Sequence, residues 1–253
     1  MAISADRLAE TEYVYFVDPE HTIETQFGLF QNHPQYQHRI DAHQLAKCHC
    51  PRGHATELLS TLEELYAPSG LDYQYIMGHD EGTYHYLAPI LESHGWQLGR
   101  IWMFTFDGLV TRTSNPEIEI RRFDALTANG TEIPNIYQHV KGRHQEDLAF
   151  YCSNDDRVGG EWIIAYLDGE PISATGWYLH DNLARYRPVA TIPSAERLGA
   201  ATTLIRYIQS HPTVQAQEKL VLLCREDGPV PLYEQLGFVK QAWMWEALLE
   251  RPL

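Results

Sequence analysis

Four adjoining stretches decide how this chain reads: LARYRPVATIP (183–193), SAERLGAATTLIRYIQ (194–209), KLVLLCRED (219–227) and GPVPLYEQLGF (228–238). The first is extended, and strand alternation puts Arg185 and Arg187 on one face. Small residues then open a helix in which Leu198, Ala201, Thr202, Ile205 and Ile208 recur at helical spacing, so one stripe can face a sheet. KLVLLC is a short, continuous apolar run, the pattern of a strand buried on both faces. LYEQLGF gives a short helix stopped by Gly237, and FVKQAWMWEALL returns as a last strand. The order brings a helix N-terminus, with its unpaired N–H groups and partial positive charge, toward a phenol.

Upstream of this stretch, IEIRRF (118–123) alternates as a strand, and the segment from Ile133 to Tyr151 suits one or two helices. GEWIIAYLDGEPISATGWYLHDN (160–182) reads as a hairpin turning at Asp168-Gly169. The polar, Pro-containing run DGLVTRTSNPEI (107–118) separates two structured parts, giving expected domains at 1–112 and 118–253. In the first part, PRGHATELLSTLEELY is an amphipathic helix, DYQYIMGHD a strand, and YHYLAPILESHGWQLGRIWMF a helix, a Gly-aromatic stop and a strand. The second part has the same order, with Gly95-Trp96 standing where Gly237-Phe238 does, so a partial internal repeat is expected.

Two of these motifs resemble the GNAT superfamily of acyl-CoA-dependent N-acyltransferases over roughly residues 118 to 253. VATIPSAERLGAATTL follows the family's strand, proline and [QR]-x-x-G-x-[GA] helix opening, with Glu196, Gly199 and Ala201 at the motif positions. LYEQLGF is similar to the family's second signature and follows an apolar strand as it does there. The resemblance implies an α/β fold of the α+β kind: a mixed, mostly antiparallel sheet with flanking helices, preceded by a smaller, reduced GNAT-like half. It also implies acetyl-CoA as co-substrate and direct transfer of an acetyl group to the primary amine of a small molecule.

By the same resemblance, Arg197, Leu198, Gly199, Ala200, Ala201 and Thr202 form the turn for the CoA pyrophosphate. Val189, Ala190 and Thr191 supply backbone donors that pair with the pantetheine arm and polarise the thioester carbonyl. Tyr233 is the general acid: a thiolate leaving group needs a proton, and a phenol with a pKa of about 10 can give it. The alternative for Tyr233 is a half-buried aromatic that closes its helix on the sheet. Four positions depart from the family pattern. Glu196 stands at the usual Gln or Arg, Glu226 replaces a frequent Asn, and Arg185 and Arg187 occupy strand positions where a Glu or His base is often found.

Guanidinium groups accept no proton. Either a water chain ending at His180, Asp181 or Glu226 removes the amine proton, or Arg185 and Arg187 clamp an acidic acceptor, or both arginines are solvated or paired structurally. Substrate-binding candidates are thus Arg185, Arg187 and His180. The competing reading is a catalytically degenerate GNAT fold that binds acyl-CoA as a sensor or assembly module.

Composition narrows the classes. A formal charge of −15 disfavours sequence-independent binding to nucleic acid, and no apolar run approaches the roughly 20 residues that span a bilayer. With a polar N-terminus, MAISADRLAE, a cytoplasmic protein is expected, with no nucleic-acid or membrane partner. A homodimer is one option for its oligomeric state. Cys48, Cys50, Cys152 and Cys224 are too spread for a disulfide scaffold. HQLAKCHCPRGH groups His43, Cys48, His49, Cys50 and His54, but lacks a distant second ligand pair, so buried thiols with exposed histidines are expected and no metal. Cys224 lies on the apolar strand without an adjacent base, which disfavours a covalent acyl-enzyme.

Overall fold

A computed structural model describes residues 3–123, 132–139 and 145–250. The chain divides into two compact units, Met1–Met103 with Gln241–Leu253, and Phe104–Lys240. The division falls inside a strand and not at residues 107–118. The reason is visible in hydrogen bonds of that segment: Asp107 N–H donates to Gly237 O (2.8 Å) and Thr111 N–H to Gln235 O (3.0 Å). The polar run is thus part of the second unit.

The first unit starts with α1 (Ala5–Phe16), whose N-cap Ser4 accepts from Arg7 N–H, an element for which the sequence pattern gave no expectation. Then follow β1 (Thr22–Thr25), β2 (Gly28–Asn32), β3 (His43–Ala46), α2 (Ala55–Tyr66), β4 (Tyr73–Gly78), α3 (Glu81–Ser93) and β5 (Gln97–Phe106). The sheet order in this unit is β1-β2-β3-β4, and the end of the chain adds the next strand, Trp245–Glu250 pairing antiparallel with Gly78–Tyr73. β3 and β4 are parallel, joined through α2, while β1-β2 and β2-β3 are antiparallel. Leu58 and Leu62 on α2 are fully buried against Ile76 and Trp245, worth about 1.5–3 kcal/mol for each leucine. Cys48 and Cys50 lie just beyond β3 in the same cluster, and burial pushes the Cys50 thiol up to about 11 and that of Cys48 further. His43 is buried as well, against the expectation of exposure, with its ring nitrogens 2.7 Å from Asn32 Oδ1 and 3.2 Å from Tyr36 O.

The second unit contains β6 (Glu119–Phe123), α4 (Glu132–His139), α5 (Gln145–Val158), β7 (Glu161–Leu167), β8 (Glu170–His180), β9 (Leu183–Tyr186) and β10 (Ala190–Thr191). α6 (Ala200–Ser210), α7 (Pro212–Gln215), β11 (Lys219–Arg225) and α8 (Val230–Gln235) follow, and β12 (Phe238–Glu250) leads back to the first unit. The order here is β11-β9-β8-β7-β6, with β10 on β8. β6 through β9 are antiparallel neighbours, and β9-β11 is parallel. The β7-β8 turn is the expected one, with Asp168 at φ 53° and Gly169 at φ 85°, the left-handed pair that a two-residue hairpin favours. The expected α/β class, mixed and mostly antiparallel, is the architecture found. Each unit repeats the order strand, helix, parallel strand, helix and left-handed glycine, with Gly95 at φ 86° and Gly237 at φ 82°.

One buried ion pair ties the second unit together. Arg187, only 2% exposed, meets Asp155 of α5, and its guanidinium lies over the Trp162 and Tyr178 rings at 5.1 and 5.3 Å. Trp162 Nε1–H donates to the other oxygen of Asp155. Gly160 and Gly176 leave the room, since a Cβ on Gly160 would run into the guanidinium and one on Gly176 into Glu161 O. Removing one member strands a buried charge. Arg187→Ala should therefore cost about 3–5 kcal/mol in urea unfolding, and a loss near that of a surface arginine would contradict this role.

Candidate active site

The expected helix from Glu196 begins later, at Ala200, because a shaped turn precedes it. Arg197 at φ 64° and Gly199 at φ 88° are both left-handed, and for the arginine that costs about 1–2 kcal/mol. Alternating hands of this kind turn successive N–H groups toward one side, a concavity suited to an anion. The N–H groups of Ala200, Ala201 and Thr202 lie ahead of the first intrahelical bond, which Thr203 makes to Gly199 O at 2.9 Å. Asn115 braces the turn, its Nδ2 donating to Leu198 O and its N–H to Thr203 Oγ1, both at 2.9 Å. Leu198 precedes the helix and is 44% exposed, so it does not join the buried stripe of Leu204, Ile205 and Ile208. Glu196 and Arg197 are exposed beside it.

Immediately before the turn, the strand carries a bulge. Tyr186 pairs with Trp177 and Ala190 with Ala174, so four steps along one strand meet three along the other. Pro188, inside the bulge, has no N–H to lose, and its carbonyl accepts from Tyr137 of α4 at 3.0 Å. Ile192 N–H reaches Ile172 O of β8, so by strand alternation the N–H groups of Val189 and Thr191 point to the opposite edge. Among the described residues that edge of β10 carries no strand. β9 and β11 meanwhile pair from Leu183↔Lys219 to Arg185↔Val221, and beyond this β11 continues while the neighbouring chain leaves it and stays paired with β8 alone. The two parallel strands part at their carboxyl ends, the place where open α/β sheets have their ligand cleft.

Tyr233 of α8 stands at that parting. It is 6% exposed, and its ring lies 6.4 Å from Tyr186 at the end of β9, 6.3 Å from Phe104 and 6.2 Å from Phe238. Burial raises its phenol well above the ordinary value, Cys224 adds to the rise, and Arg185 opposes it. Tyr186 is raised too, by burial first and by the neighbouring Tyr233 next. The Cys224 thiol is pushed up to about 11 by burial and then by Asp227, so little thiolate exists at neutral pH.

The other expected substrate contacts separate. Arg185 is 5% exposed, its Nη1 donates to Tyr186 O, and its charge acts on the two phenols. Arg187 is committed to Asp155, so the paired-arginine clamp for an acidic acceptor is replaced by one structural and one phenol-facing arginine. His180 pairs with Leu183, about 10 Å of strand from Tyr186, at the opposite end of β9 from the cleft, with Asp181 in the adjoining turn. Neither is brought to Tyr233. Sequence pattern did not single out Tyr186, Tyr137 or Asn115. Only Tyr186 carried a signal, an aromatic between two arginines on a strand that ends beside LYEQLGF.

No family model matches the sequence, and no curated protein matches it. Solved structures do. A functionally unknown conserved protein from Staphylococcus epidermidis ATCC 12228 aligns with TM-score 0.68 and 12% identity over 91% of this chain and 93% of that one. A GCN5-related N-acetyltransferase from Kribbella flavida aligns with TM-score 0.65 and 16% identity over 100% and 97%. A tandem GNAT protein from the clavulanic acid biosynthesis pathway aligns with TM-score 0.55 and 14% identity over 81% and 72%. The fold of this chain is the GNAT fold.

The raised phenol has a measurable sign. Folding holds the Tyr233 proton more tightly than the unfolded chain does, so this group's contribution to stability is intact below about pH 10 and falls as pH rises beyond it. In a spectrophotometric titration, Tyr233→Phe should therefore remove no phenolate signal near pH 10. Loss of an ionisation there would contradict the burial.

Proposed function

We propose that this chain is an N-acetyltransferase that moves an acetyl group from acetyl-CoA to the primary amine of a small molecule, by direct transfer with both substrates bound together. The observation that carries the reading is the placement of Tyr233 where β9 and β11 part, beside Tyr186 and Cys224. The residues fit the co-substrate: the open edge at Val189 and Thr191 can pair with an amide-bearing arm, and the turn from Arg197 to Thr202 offers N–H groups and a cation to a pyrophosphate. When bound, acetyl-CoA supplies the activated acyl group as a thioester.

Tyr233 keeps its proton through the neutral range, so the acid form is present when the C–S bond breaks, and the burial that raises its phenol adds to the cost of passing that proton to the departing thiolate. The phenolate that remains is a buried anion, and Arg185 offsets that charge. Cys224, held as a thiol, does not compete as a nucleophile. No described helix is long and apolar enough to cross a membrane, and residence in the cytoplasm belongs to this proposal.

Calorimetry with acetyl-CoA followed by a thiol-release assay against an amine panel tests the reading. One-to-one binding with turnover is expected; binding without turnover on any amine would favour an acyl-CoA-binding module, and no binding would remove both readings. Tyr233→Phe should lower kcat about 10²–10⁴-fold with acetyl-CoA affinity unchanged. Wild-type kcat should show no decline on the alkaline side up to about pH 10, because the buried acid stays protonated.

A further inference from the structure

We propose that Asp18, His21 and His33 form a zinc-binding site in the first unit. Asp18 follows α1 and opens a one-turn helix, Pro19–His21, while His33 lies just after β2, so two separate segments meet at one carboxylate. Asp18 Oδ2 is 3.0 Å from His21 Nδ1 and 3.2 Å from His33 Nε2, and one ligand atom from each of the three residues lies within 4.8 Å of the others. A tetrahedral zinc with bonds of about 2.0–2.1 Å separates its ligand atoms by about 3.3 Å, close to both contacts. Two imidazoles and a carboxylate are a zinc donor set, whereas magnesium and calcium take oxygen alone.

The surroundings hold these groups ready. Asp18 Oδ1 accepts from Glu20 N–H at 3.0 Å, leaving Oδ2 for the histidines, and Asp18 N–H donates to Gln31 Oε1. Gln31 is itself buried and donates to Asp41 O, while His33 N–H donates to Ala42 O at 3.1 Å. Such outer partners orient ligands and raise affinity. Asp18 and His33 are buried, and the His21 side chain is 34% exposed, which gives a metal its way in. The two rings stack with centroids 3.8 Å apart and planes 27° from parallel, so coordination requires the more exposed His21 ring to turn toward the shared point. Water fills the fourth position from the exposed side. The metal ties the start of β1 to the loop after β2. None of the residues proposed for acetyl transfer belongs to this unit, so the site stands apart from that reading.

Chelator-treated protein titrated with zinc, followed by calorimetry and thermal unfolding, should bind one equivalent and gain a few degrees in Tm. Cobalt in its place should give the intense visible absorption of a four-coordinate site. Asp18→Asn and His33→Ala should each weaken binding at least tenfold, and His21→Ala, at the most exposed ligand, decides the matter if the buried variants do not fold. Acetyl-CoA titrations on the same samples report on the other unit and should not change. No binding, or binding equally tight in every folded variant, would overturn the site, the latter because the zinc would then sit on other histidines.

Discussion

Two parallel strands joined by hydrogen bonds cannot part without leaving backbone groups unpaired, and the second unit is organised around that constraint. β9 and β11 pair only as far as Arg185 and Val221, after which a bulge takes the chain away from β11 while it stays on β8. The exposed donors of Val189 and Thr191 are left as a template for an extended ligand. Everything else named at the cleft supports the separation. Tyr137 holds the carbonyl of Pro188, Asp155 fixes Arg187 immediately before it, and Tyr233 with its aromatic neighbours fills the space where the strands diverge.

Much of this was legible in the sequence because the signals were local. The Asp168-Gly169 turn, the apolar run of β11 and the left-handed Gly237 each depend on neighbours within a few residues. Gly199 was likewise legible as part of a motif, although the left-handed Arg197 was not, since no residue preference announces a strained non-glycine. The long-range features were hidden. Alternation alone paired Arg185 with Arg187 on one face and suggested a joint grip. The bulge and the arrival of Asp155 from α5 gave the two arginines different partners. The start of α6 was misplaced for a related reason: helical periodicity extends through Leu198, but the turn that precedes the helix takes it out of register with the sheet.

The cluster of histidines and cysteines around residue 48 and the trio at Asp18 make an instructive contrast. The first gathers ligand residue types without zinc-site spacing, and its two thiols are buried among apolar side chains. The second has no recognisable spacing, since its members are gathered by the β1-β2 hairpin and the segment before it.

The placement of Gln241–Leu253 within the first unit has a consequence for biosynthesis. β4 meets its neighbour Trp245–Glu250 only after the whole of Phe104–Lys240 has been made, and Trp245 belongs to the same buried cluster as Leu58 and Leu62 of α2. Until then the first unit lacks a sheet partner and a large core side chain, whereas Phe104–Lys240 is continuous in sequence. The first unit is therefore the later of the two to have all its residues, and until it does β4 lacks its partner on one side.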